Sequence, residues 1–352
     1  MPKTEFKRIL QNILLLLVTL LIIFFLLEIL LRIFFPQSLS IATFSSEHGV
    51  ASKPNVNIMF YNKQLTREFK HRIRTNSDGL REDIDYELDK GDNFRMLAVG
   101  DSFVFGYGVE LNETFIKLLE IKLKEEKEKV QVINLGVPGT GPSHYYKRLK
   151  YKGLKYNPDL VILGLFVGSD LNTVIETTEF TPKMPNQLPY FIASKSHAFQ
   201  FMYLLTKVNV LNKIKRDKKP VPTMCTSDEK YEQAISSLEP AVQDFNKLAQ
   251  ENNFDILFVI IPSREQVDDK LWQEALSYFC VLKKSDRYQV QRDIKTVLEK
   301  TNSTYIDLTQ KFVDLNKNNT FYYKIDGHFN KKGHELAFSL VYNKLKNEDL
   351  LN

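Results

Sequence analysis

Two hydrophobic patterns divide this chain. From Ile9 to Leu27, nineteen consecutive residues carry no charge and are dominated by Leu, Ile and Phe; as a helix the run spans about 28 Å, close to the hydrocarbon thickness of a bilayer. It is longer than a signal-peptide core, and no small-x-small site follows it before Pro36, so the pattern predicts an uncleaved single-pass anchor rather than a cleaved leader. Glu28 and Arg32, four apart with the acid first, are placed to pair on one helical face at the interface. Lys3, Lys7 and Arg8 precede the run, which keeps that end in the cytoplasm and puts everything after Pro36 on the extracytoplasmic side. Residues 1–36 thus form a cytoplasmic tip and transmembrane anchor.

Residues 37–93 are mixed and irregular, with a turn at Asn76-Ser77-Asp78-Gly79, and are expected to form a lead-in packed on the main domain. From Phe94 the pattern becomes periodic. Phe94–Val99, Val130–Leu135, Leu160–Phe166, Phe254–Ile261 and Thr304–Leu308 are short apolar runs rich in branched residues and predict buried strands. Glu113–Lys127 and Glu229–Gln250 carry one apolar face each and predict helices, the second broken or kinked near Pro240. Strands alternating with helices predict an α/β domain with a mainly parallel sheet, over residues 94–348. Such sheets bind ligands beyond the carboxyl ends of their strands. An insertion at about 172–227, with five prolines and the basic run Lys213–Lys219, is either a lid over that edge or a solvated excursion.

Composition adds limits. With 43% hydrophobic and 26% charged residues the chain can build an ordinary core. The net charge of +5 is spread out, with no basic stripe interleaved with aromatics, so no nucleic-acid partner is expected. The two cysteines, Cys225 and Cys280, form one disulfide or remain two thiols. Neither a histidine pair at metal-ligand spacing nor a phosphate-cradling glycine loop is present, so no metal or cofactor is expected.

The strand ends carry the chemistry. Gly100-Asp101-Ser102-Phe103 follows the first strand and sets a serine hydroxyl at the carboxyl edge. Asn134-Leu135-Gly136 ends the second, and Phe166-Val167-Gly168-Ser169-Asp170 the third. Asp326-Gly327-His328 precedes a last helix beginning near Gly333. His328 is placed to take the Ser102 proton and Asp326 to orient the imidazole. The N–H groups of Ser102 and Gly136 are candidate oxyanion donors, Gly136 because the absent side chain permits close approach. Asp101, Asn172 and His144 are candidates for the substrate cleft, although packing alone accounts for His144.

With these four blocks in order, the chain resembles the SGNH, or GDSL-type, hydrolase superfamily from about Phe94 to Leu345. The resemblance implies a flavodoxin-like three-layer α/β/α sandwich and metal-free ester hydrolysis or acyl transfer. It makes Ser102 nucleophile and oxyanion donor, Gly136 a second donor, and His328 the base with Asp326 as partner. Two positions depart from the family pattern. Ser169 stands where the family has an asparagine, putting a shorter donor in the oxyanion hole, with Asn172 a possible substitute. One residue rather than two separates Asp326 from His328, and in an extended segment that spacing points both side chains the same way. The resulting expectation is a membrane-anchored serine esterase acting on an ester-bearing carbohydrate or lipid, O-acetyl groups included. The alternatives are an O-acyltransferase of envelope glycans and a catalytically silent member that binds glycan or a partner.

Overall fold

The computed structural model describes residues 3–62, 68–174, 195–202, 205, 228–278, 286–316 and 320–351. A helix, Lys3–Phe34, opens the chain, followed by two antiparallel hairpins, β1 (Ala42–Ser45) with β2 (Gly49–Ser52) and β3 (Asn57–Tyr61) with β4 (Lys70–Arg74). The central sheet has β5 (Phe94–Val99), β6 (Val130–Asn134), β7 (Leu160–Phe166), β8 (Asp255–Ile261) and β9 (Thr304–Asp307). These five lie parallel in the order β6-β5-β7-β8-β9. Counted within the sheet this is 2-1-3-4-5, the flavodoxin-like arrangement, whose switch point lies at the carboxyl end of β5.

Because both faces of the sheet are covered, its strands are apolar almost without interruption. Along β5, Leu97 and Val99 enter one core, and Met96 and Ala98 the other. The first core is closed by helices Pro142–Arg148, Asp228–Asn252 and Gln289–Lys300; the second by Phe115–Glu126, Thr309–Asn316 and Lys331–Asn347. The α/β/α expectation is met, with strand ends within one residue of those predicted. Asp228–Asn252 is not broken at Pro240 but runs through it as one helix.

Residues 37–93 are more ordered than the irregular lead-in the sequence suggested. The turn at 76–79 forms, with Gly79 at φ +72 and a Cβ there falling 2.3 Å from the Ser52 carbonyl oxygen. Next to it, buried Glu82 accepts from the β6 amide of Asn134 at 3.1 Å and from Lys117 at 3.1 Å, stitching this stretch to the main sheet.

The Lys3–Phe34 helix is long and apolar enough to cross a membrane, and none of its apolar window is buried. Glu28 and Arg32 pair at 2.6 Å as expected, and the pair also holds part of the insertion. Glu28 accepts from Ser196 Oγ (2.9 Å) and from the amides of His197 (3.0 Å) and Ala198 (2.7 Å). Arg32 donates to the Lys195 carbonyl at 2.8 Å. Phe35 meets Phe201 edge-on, ring centroids 6.2 Å apart. Cys225, Cys280, the five insertion prolines and the basic run 213–219 lie outside the described residues.

Candidate active site

β5 delivers its chain directly into a four-residue helix, Ser102–Phe105. The turn is tight: a Cβ on Gly100 would fall 2.3 Å from Val104 Cγ2. Asp101 caps the helix by accepting from the Phe103 amide at 2.8 Å, and Gly106 ends it in the left-handed region at φ +80. Buried Arg81 donates to the carbonyls of Phe105, Gly106 and Val109, so the last turn does not end on orphan acceptors. Ser102 thus stands at the switch point, nearly buried.

The base comes from the far end of the chain. His328 Nε2 lies 2.7 Å from Ser102 Oγ, and His328 Nδ1 is hydrogen-bonded to Asp326 Oδ1. The one-residue spacing works because the segment is folded rather than extended. Gly327 sits at φ +88 and donates to Tyr323 O, while Tyr323 N donates to His328 O at 2.8 Å. A carboxylate on Nδ1 favours the proton there and leaves the Nε2 lone pair facing the serine hydroxyl. The ring is held against Phe103 and Tyr107, centroids 5.0 and 4.7 Å away.

The oxyanion side differs from expectation. The Gly136 N–H donates to Asn134 Oδ1 at 2.8 Å. Its missing side chain has another reason: a Cβ there would fall 2.4 Å from the Phe105 amide nitrogen, where the nucleophile helix packs. Val137 N donates to Gly100 O, and Pro138 has no N–H. Gly139, exposed and at φ +74, is the first residue of this loop whose N–H is uncommitted among the described residues. It is not among the donors expected from the sequence, although Gly-Val-Pro-Gly holds its own hint, since a proline between two glycines leaves the second as the next donor. The Ser169 hydroxyl donates to Asp170 Oδ1 at 3.3 Å.

Asp101 and Asp170 lie buried behind the serine. Burial pushes Asp101 up to about 6 and pushes Asp170 upward too, the latter also against the charge of Asp101. Asp170 accepts from Tyr145 Oη and from the Phe166 amide at 2.9 Å, so both acids are structural neighbours of the cleft rather than its lining. His144 is electrostatically coupled to Arg148 and His48, and burial holds it down at about 4. Asn172 lies on the Asp170–Val174 helix, its side chain outside the described residues. Among the described residues no group of three or more His, Cys, Asp or Glu is arranged to hold a metal ion.

The hairpin β3–β4 supplies a wall. Phe60, Phe69 and His71 surround Tyr107, and Phe69 meets Tyr323 at a tilt, ring centroids 4.4 Å apart. His71 is 1% exposed with neither ring nitrogen hydrogen-bonded, and burial holds it neutral down to about 3 from 6.5. Below 6.5 the unfolded chain takes up a proton that the fold refuses, so this contribution is complete above 6.5 and lost as pH falls toward 3. Buried His334 behaves alike. His71→Phe is therefore expected to flatten the loss of stability between pH 7 and pH 4, read from urea midpoints at each pH.

No protein-family model matches the chain, and no curated protein does. Solved structures do. An acetylxylan esterase of Geobacillus stearothermophilus is similar at 13% identity and TM-score 0.43, over 72% of this chain and 95% of that one. A psychrotrophic esterase of Pseudoalteromonas sp. is similar at 15% identity and TM-score 0.42, over 73% and 98%. A G-D-S-L family lipolytic protein of Desulfitobacterium hafniense is similar at 13% and 0.39, over 72% and all of its chain.

Proposed function

We propose that this chain is a serine hydrolase of the SGNH type that cleaves ester bonds. One observation carries the reading: Ser102 Oγ lies 2.7 Å from His328 Nε2, with Asp326 on the opposite ring nitrogen and the serine at the sheet's switch point. In the proposed reaction His328 takes the hydroxyl proton as Oγ attacks the ester carbonyl, and Asp326 stabilises the imidazolium. The proton then passes to the departing alcohol. Water, activated by the same imidazole, attacks the acyl-enzyme and releases the acid.

The oxyanion is assigned to the Ser102 and Gly139 N–H groups rather than to Gly136, whose N–H is committed to Asn134. Ser169, turned to Asp170, leaves the hole with fewer donors than an asparagine would give. That feature favours the second reading, a silent glycan- or partner-binding member. Hydrolysis of p-nitrophenyl acetate by the detergent-solubilised chain, with fluorophosphonate labelling at Ser102, tests the choice: neither occurring would sink the esterase reading. An added carbohydrate acceptor that becomes acylated would make the enzyme a transferase.

The substrate is assigned to ester-bearing carbohydrate or lipid, and the site to the extracytoplasmic side of a retained anchor. Retention is supported by the ties from Glu28 and Arg32 to residues 195–198, which a cleaved leader would not make with the mature domain. The chain is expected to stay in the membrane pellet through carbonate washing at its full length. Release at a length lacking the first helix would reverse the assignment.

A further inference from the structure

We propose that Glu68 and Arg264 are positioning residues that clamp the loop carrying Asp326 and His328, making the β3–β4 hairpin a working part of the site. The proposal rests on the reading of Ser102, His328 and Asp326 as the reacting set. Glu68, just before β4, accepts from the amides of Ile325 (2.9 and 3.1 Å to its two oxygens) and Asp326 (2.9 Å). Arg264 donates to the carbonyls of Tyr323 (3.3 Å) and Lys324, and pairs with Glu265 at 3.0 Å. Four consecutive residues, 323–326, are therefore held through their backbones by two charged side chains from distant parts of the sequence. Tyr323 adds a hydroxyl bond to Gly108 O at 2.8 Å and its ring contact with Phe69.

The loop needs such a clamp. Ile325 is 48% exposed, and the space beside Gly327 is open except for the Arg264 guanidinium, 4.0 Å from where a Cβ would be. A surface turn with a left-handed glycine has little packing of its own, yet it must keep His328 Nε2 within a few tenths of an ångström of its hydrogen-bond position. Hydrogen bonds from backbone amides to a carboxylate are charge-assisted and stiff enough for the task. Neither Glu68 nor Arg264 bonds Ser102 or the His328 ring among the described contacts, so both act through the loop.

Glu68 has a second effect. Its negative charge at the amide of Asp326 favours the imidazolium that forms as Ser102 attacks. The other ionisable groups facing His328 are Asp326 on its own loop, Asp101 and Tyr107 from the nucleophile turn, and His334 from the last helix, with Arg264 behind the loop. Glu68→Gln keeps an acceptor oxygen and removes the charge; Glu68→Ala removes both.

The test measures p-nitrophenyl acetate kinetics of the full chain in detergent, normalised to the fraction of molecules whose Ser102 a fluorophosphonate labels, together with amide exchange over residues 320–330. Glu68→Ala is expected to lower kcat about 100-fold with KM little changed, and to speed exchange at Ile325 and Asp326. Glu68→Gln loses less, and the acid limb of its kcat/KM profile moves to lower pH. Arg264→Met lowers kcat without that downward movement. Wild-type kcat in Glu68→Ala, or a loss that vanishes on normalisation, would overturn the clamp. Where the wild type neither hydrolyses nor is labelled, the esterase reading fails, and exchange decides the clamp: amides equally protected in wild type and Glu68→Ala would reject it.

Discussion

Ser102→Ala is expected to reduce ester hydrolysis to the residual rate that binding and the oxyanion donors support, a fall of about 10⁶ in kcat. His328→Ala should cost about as much, and the double variant hardly more, because hydroxyl and imidazole act as one unit 2.7 Å apart. Asp326→Ala should be milder, about 10⁴, since Ser102 and the imidazole remain and only the ring's orientation and charge partner are lost. The informative comparison is between Asp326→Ala and Asp326→Asn. An amide donating to Nδ1 would force the proton onto Nε2, where the imidazole can no longer accept from serine, so asparagine should rescue little despite its shape. Steady-state rates on p-nitrophenyl acetate check all four. An undiminished rate in Ser102→Ala would place the chemistry elsewhere.

The largest effect on stability is expected from Arg81→Ala. Arg81 is 1% exposed and donates to three carbonyls at the end of the nucleophile helix. Removing it leaves the buried carbonyls of Phe105 and Val109 without that donor and Gly106 O with only the Val109 amide at 3.4 Å. At about 1–3 kcal/mol for each unsatisfied group, offset by relief of a buried cation, the net loss should be about 3–5 kcal/mol. Burial already pulls the guanidinium down to about 10, a sign of how strongly the interior resists the charge. The loss should appear as a lower urea midpoint at unchanged slope. A midpoint equal to that of the wild type would mean that the carbonyls find other donors.

The main sheet was legible because each strand buries both faces and so prints a near-continuous apolar run; β5 and β7 fall at the predicted residues. The lead-in hairpins were not legible. β4 reads Lys70-His71-Arg72-Ile73-Arg74, a strict alternation, but its inward residues include a histidine, and the period is masked by polar letters on both faces. Pairing of Ser102 with His328 was readable from the order of the blocks, whereas the sharp turn at Gly327 was not, because a positive φ is set by the contacts of the whole loop. The choice between Gly136 and Gly139 was only hinted at in the sequence, by the proline between them. Both end or follow the same strand, and only the commitment of one N–H to Asn134 separates them. Glu68 was invisible altogether, since its partners lie 257 and 258 residues away.

The seam between the first helix and residues 195–198 has a mechanical consequence. A domain hung from a polar linker wanders through a hemisphere whose radius grows as the square root of linker length. Here only residues 35–41 separate the helix from β1, and Glu28 and Arg32 are fastened to residues 195–198 of the insertion. Under the proposal that the first helix is retained in a bilayer, these ties are expected to shorten the free length of the tether, so the domain would range less widely above the surface than an unfastened linker allows.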